Sequence, residues 1–236
     1  MDVLNFVPKK FGLTNNQLKI IAMISMLIDH IGIYLFPKIL IFRIIGRLAF
    51  PIFAYMIAEG CFYTKNRIKY LLHLLILGLG CQLVYFFFMN SLYMGILITF
   101  SLSIILIYII DYFLKKKTVV SFILMILTIS TIIYITYFLP LYFNKYNFEF
   151  DYGVLGVFLP VIIYFLKHRI FKIITLIIIM ILLSFYYNEL LFYYSLLAIP
   201  LLILYNGKRG KYNLKYMFYI FYPLHLVLIY LIGYLF

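Results

Sequence analysis

The fold is decided by residues 93–141, which read YMGILITFSLSIILIYIIDYFL (93–114), then Lys115-Lys116-Lys117, then TVVSFILMILTISTIIYITYFLPL (118–141). Each apolar run matches the roughly 20 residues a helix needs to cross hydrocarbon. The lysines between them make a short polar turn. Outward in both directions the same kind of run recurs between polar breaks, near 17–36, 41–62, 69–89, 152–167, 170–187, 190–206 and 214–236. Composition agrees, with 67% of the 236 residues hydrophobic and 11% charged. Soluble domains sit near half apolar and a quarter charged, and a globule of this length has too little interior to hide the excess. The chain is predicted to be all-α, a polytopic integral membrane bundle of about nine transmembrane helices. A cytoplasmic segment, 1–16, precedes a single transmembrane domain, 17–236.

The formal charge of +13 raises the question of nucleic acid. The basic residues, however, cluster in short turns between apolar runs, which makes them topology signals. With the N-terminus inside, the cytoplasmic ends hold Lys9, Lys10, Lys19; Lys65, Arg67, Lys69; Lys115, Lys116, Lys117; Lys167, Arg169, Lys172; and Lys208, Arg209, Lys211, Lys215. These are sixteen of the twenty basic residues. Lys38 and Lys145 fall in outer loops, and Arg43 and Arg47 inside the second span. The bias predicts an odd number of crossings with the C-terminus outside. No nucleic-acid partner is expected, and the lipid bilayer is. Cys61 and Cys81 lack CxxC spacing and read as inert core thiols. Thr14-Asn15-Asn16-Gln17 reads as a capping box opening the first span. That span carries Asp29 and His30 with no small-residue cleavage site after it, so it is not expected to be a cleaved signal peptide.

Ionisable groups at bilayer depth are costly and usually face a cavity or a partner. Those within the spans are Asp29 and His30 on the first, Arg43, Arg47 and Glu59 on the second, His73 on the third and His225 on the last. At 1.5 Å per residue, Asp29, His30 and His225 lie near mid-membrane, with Arg47 a few residues in from the outside. One layer therefore gathers two histidines, a carboxylate and an arginine. Pro51 and Pro223 deprive the carbonyls of Arg47 and Tyr219 of their helical donors, freeing polar backbone beside that layer or simply bending two packed helices. Asp29 reads either as a partner of Arg47 or as an orienter of His30. Arg43 is expected to snorkel to the outer interface, and His73 to be structural. Glu59, followed by Gly60, either meets a cytoplasmic ligand or lies at the interface. No GxSxG, P-loop, HExxH or CxxC pair is present, and no outer-sphere pattern supports a metal on His30, His225 and Asp29. No metal is expected.

Four motifs carry a family resemblance: Leu27-Ile28-Asp29-His30-Ile31-Gly32, Gly46-Arg47-Leu48-Ala49-Phe50-Pro51-Ile52-Phe53-Ala54, Asp151-Tyr152-Gly153-Val154-Leu155-Gly156 and Phe221-Tyr222-Pro223-Leu224-His225-Leu226. Across nearly its whole length the chain resembles the TraX family of membrane proteins, typified by an acetylase of the N-terminus of conjugative pilin. That family is similar in turn to transmembrane acyltransferases that draw on cytoplasmic acyl-CoA. The resemblance implies a multi-pass protein of the bacterial cytoplasmic membrane that transfers acetyl from acetyl-CoA to a peptide, pilin or envelope acceptor. Asp29, His30, Arg47 and His225 match its distinctive polar positions. Met94-Gly95 stands where relatives often open the fourth helix with asparagine, and His73 where many carry arginine.

Acyl transfer needs a base near neutral pH, which suits His30, and Arg47 suits a developing oxyanion or the thioester. His225 reads as a second base or a transient acyl carrier. Glu59, Lys65, Arg67, Lys208 and Arg209 are the expected coenzyme A contacts, the cations through its phosphates, although topology alone also accounts for the basic residues. The alternative is a transporter or channel using the same layer. It calls for paired broken helices in two matching halves, and no internal repeat is evident.

Overall fold

A computed structural model describes residues 11–143, 147–211 and 214–235. Lys9, Lys10 and Lys145, on which part of the charge argument rests, lie outside the described residues. Among those that are described, helices α1 (Asn15–Tyr34), α2 (Leu40–Gly46), α3 (Ala49–Tyr63), α4 (Arg67–Met89) and α5 (Ile96–Lys116) come first. Helix α6 (Val119–Ile133) runs through a π-turn, Tyr134–Phe138, into α7 (Leu139–Tyr142). Then come α8 (Gly153–Phe165), α9 (Arg169–Tyr187), a 3₁₀ helix (Leu190–Ala198), α10 (Ile199–Ile203) and α11 (Lys215–Leu235).

Local chemistry sets the ends. Thr14 and Gln17 form the capping box on α1, Asn66 accepts from the Lys69 amide on α4, and Thr118 with Ser121 caps α6. Asn90, Lys117 and Asn188 stop α4, α5 and α9 in the left-handed conformation, which satisfies the last carbonyls of a helix. Among the described residues six segments are long and apolar enough to cross a membrane: Asn15–Tyr34, Leu40–Tyr63, Arg67–Met89, Ile96–Lys116, Val119–Tyr142 and Arg169–Tyr187. Gly153–Phe165, Leu190–Ile203 and Met217–Gly233 are shorter apolar helices. Ile68, Leu72, Ile76, Leu79, Leu83 and Phe87 of α4 are exposed, the surface of a helix solvated by lipid. The chain is an all-α membrane protein.

The second span departs from the expected kinked helix. It is broken outright at Arg47-Leu48, and Pro51 falls in the first turn of α3, where the missing amide hydrogen has no helical partner to lose.

The chain groups into two compact units, one of residues 1–56 and 166–236 and the other of residues 57–165. In the first, α1 packs on α2 and on α11. Pairs along the second contact advance together: Lys19 over Phe218, His30 on His225, Tyr34 against Tyr230. Helices α1 and α11 are thus parallel. At the start of α1 the amides of Asn15 and Asn16 donate to the carbonyls of Lys208 and Arg209, and Arg169 donates to the Leu202 and Ile203 carbonyls that end α10. In the second unit α5 is central, packing on α4, α6 and α8, with Thr99 and Ser103 donating to the carbonyls of Asp151 and Val157. Tyr152 and Gly153 both have positive φ, +59° and +50°, a conformation glycine adopts without penalty. Asp151-Tyr152-Gly153 is thereby the tight turn that seats α8 on α5.

Candidate functional site

The site of the first unit is built by two close helix approaches. Where α1 meets α2, a Cβ on Gly46 would run into the Asp29 side chain, and one on Gly32 would lie 2.6 Å from Phe42 Cβ. Small residues let two backbones come this near inside lipid. The approach carries the Asp29 carboxylate to Arg43, whose Nη1 donates to Oδ1 at 2.7 Å, both side chains about four-fifths buried. Arg43, expected to snorkel outward, is instead the ion-pair partner of Asp29.

Arg47 is buried and turns the other way. Its Nη2 lies 3.7 Å from a carboxylate oxygen of Glu189, and its guanidinium stands 4.9 Å from the centre of the Phe192 ring. Glu189 ends the turn after α9, and Phe192 is on the 3₁₀ helix. Arg43 on α2 and Arg47 just after it thus answer two carboxylates on different elements.

On the α11 side of α1, His30 meets His225. Nδ1 of His30 and Nε2 of His225 are 2.8 Å apart. The ring planes are 5° apart with centroids at 5.0 Å, as in two imidazoles joined edge to edge in one plane. His225 is 4% exposed; its Nδ1–H donates to the Phe221 carbonyl at 2.8 Å, and its ring lies parallel to that of Phe221. His30 lies one turn before the end of α1, nearer that end than counting from Lys19 placed it. Asp29 and His30 are neighbours in sequence and serve different helices, as the 100° step between successive side chains requires.

The expected coenzyme A contacts divide between the units. Lys208 and Arg209 of the first unit are exposed, as is Lys65 of the second, and Glu59 is half-buried. Arg67 is engaged within the second unit. Its Nη2 is 2.5 Å from Asp111 Oδ2, an oxygen that also accepts from the Tyr164 hydroxyl at 2.8 Å, and the guanidinium lies over Tyr108. One carboxylate thereby ties α4, α5 and α8. His73 bonds back to the Lys69 carbonyl of its own helix, as a structural histidine does. Among the described residues no group of three or more His, Cys, Asp or Glu is disposed to hold a metal.

Sequence reasoning passed over Glu189 and Asp111. Each lay at the same end of its span as the arginine it meets, so side-by-side comparison of span ends was the signal available for both.

Fold and site define a polytopic helical membrane protein with a buried polar layer. The sequence profile of the TraX protein family matches residues 14–233, and the chain belongs to that family. Over 89 residues it is 38% identical to uncharacterized protein RP591 of Rickettsia prowazekii (strain Madrid E), covering 35% of this chain and 36% of the relative. Over 73 residues it is 36% identical to the probable fimbrial assembly protein FimC, serogroup H1, of Dichelobacter nodosus, covering 29% of this chain and 30% of the relative. The chain spans about a third of the length of these curated relatives. No solved structure matches it.

Proposed function

We propose that this TraX-family protein is an acetyltransferase of the bacterial cytoplasmic membrane, N-terminus inside and C-terminus outside. It moves acetyl from acetyl-CoA to an amine or hydroxyl acceptor at or across the membrane. The observation that carries the reading is the His30–His225 pair: two imidazoles hydrogen-bonded inside a membrane helix bundle, beside two arginine–carboxylate pairs. A lipid-packed helix gains nothing from such a layer, whereas a reaction that moves a proton and develops an oxyanion uses all of it.

The acceptor nitrogen or oxygen attacks the thioester carbonyl, and His30 takes its proton. Arg47, buried at 8% exposure, faces the oxyanion. The carbon–sulfur bond then breaks and the proton passes to the departing thiolate, leaving acetylated acceptor and free CoA. His30 lies about 22 Å along α1 from Asn15, at 1.5 Å per residue, so a donor from the cytoplasm reaches it through a slender arm and not with its nucleotide head. Exposed Lys208 and Arg209 of the first unit are the cations for that head, while Arg67 of the second unit is held by Asp111. The fimbrial assembly role printed for one relative favours a surface-fibre subunit or another envelope molecule as acceptor.

The parallel run of α1 and α11 supports the odd number of crossings that the charge pattern calls for. The reading is tested by supplying membranes containing the protein with acetyl-labelled acetyl-CoA and following CoA thiol and envelope label together. The two should rise one for one, and His30→Ala, still folded, should lose both by about 10²-fold or more, the lower end of what a general base supplies. Solute uptake without thiol release would instead establish a transporter.

A further inference from the structure

We infer that His225 is neither a second base nor an acyl carrier but the positioning residue that fixes the tautomer of His30 and stabilises its charge. The inference rests on the acetyltransferase reading for its catalytic part and on hydrogen-bond direction for the rest.

The Phe221 carbonyl can only accept. In the neutral pair the hydrogen of His225 is therefore on Nδ1, where it donates to that carbonyl at 2.8 Å. A neutral imidazole carries one N–H, so Nε2 of His225 is an acceptor, and the 2.8 Å contact from His30 Nδ1 has its hydrogen on His30. That leaves Nε2 of His30 bare, with its lone pair pointing away from His225. One carbonyl on α11 thus selects, through two rings, which nitrogen of α1 is basic.

The coplanar geometry lets the second ring do more. When His30 Nε2 takes a proton from the acceptor, His30 becomes imidazolium and its Nδ1–H bond to His225 Nε2 becomes charge-assisted. His225 stays neutral, still donating to Phe221, and holds the His30 ring in place. Passing the Nε2 proton to the CoA thiolate returns His30 to its neutral tautomer. A histidine does here what the carboxylate of a hydrolytic triad does, without a further buried anion. An acyl group on His225 would need Nε2, the atom His30 occupies.

The test uses the full chain in lipid nanodiscs with 15N-labelled histidine, and His73→Gln and His168→Gln to assign the other two histidine signals. At neutral pH His30 should show a protonated Nδ1 and an unprotonated Nε2, with magnetisation crossing an N–H···N bond to His225. A protonated Nε2 on His30, or no coupling between the rings, overturns the inference whatever the protein catalyses. Activity supplies the second arm. His225→Gln keeps an amide oxygen near the place of Nε2 and should retain acetyl transfer within about tenfold, while His225→Leu should lose about 10²-fold or more. Equal and complete loss in both, with the His30 tautomer intact, would make His225 a chemical participant. If neither variant nor wild type releases CoA while the spectrum is as expected, the acetyltransferase reading fails and the tautomer assignment stands.

Discussion

Gly46 shows how a single residue sets the site. The Asp29 carboxylate occupies the space a side chain at 46 would need, so Gly46→Ala pushes apart the helices that bring Asp29 to Arg43. The expected loss is about 1–3 kcal/mol, the usual cost of overpacking, read as thermal unfolding in detergent. Gly80→Ala is the control: a Cβ there meets nothing within 4 Å, and stability should hold or rise slightly. Asp29→Asn leaves the Arg43 guanidinium without its counter-charge and should cost about 3 kcal/mol, the low end for breaking a buried pair. Adding Arg43→Gln should return part of that in a double-mutant cycle. At this scale the sequence disclosed which polar residues mattered but not how they pair. Asp29, His30 and His225 stood out because lipid makes any ionisable group conspicuous. Partner choice between Arg43 and Arg47 turned on where α2 ends, which a wheel drawn through one unbroken helix cannot show.

Among elements, α4, α5 and α8 of the second unit are held by the Asp111 carboxylate, which accepts from both Arg67 and Tyr164. Tyr164→Phe removes one hydrogen bond to a charged group and should cost about 1.5–3 kcal/mol. Hydrogen exchange should quicken at the ends of these three helices while α1 and α11 are unaffected. The six long apolar segments were legible from apolar length alone, and capping at Thr14 from a four-residue pattern. The break at Arg47-Leu48 was not, because Pro51 reads the same whether it kinks a helix or begins one. Nor was the 3₁₀ winding of Leu190–Ala198, whose apolar run carries no sign of how tightly it coils.

For the molecule as a whole, alternation of sides is the consequence to check. Cys61 and Cys81 are 1% and 6% exposed, so the protein in intact cells should resist a membrane-impermeant maleimide and need no cysteine removal. Lys38→Cys should label from outside, and Lys65→Cys only once the membrane is opened; the reverse pattern would invert the topology. Charge clustering is the basis for expecting this orientation, because it survives any error in helix ends. The acceptor of the proposed reaction was not legible, since nothing in a buried polar layer records which amine or hydroxyl would enter it. The most direct test of the account is CoA-thiol release in sealed vesicles from expressing cells, acetyl-CoA being offered to one face at a time. The account requires turnover only with the cytoplasmic face exposed, and its loss in His30→Ala protein of unchanged thermal stability. Equal turnover in His30→Ala vesicles, or release only from the outer face, would contradict it.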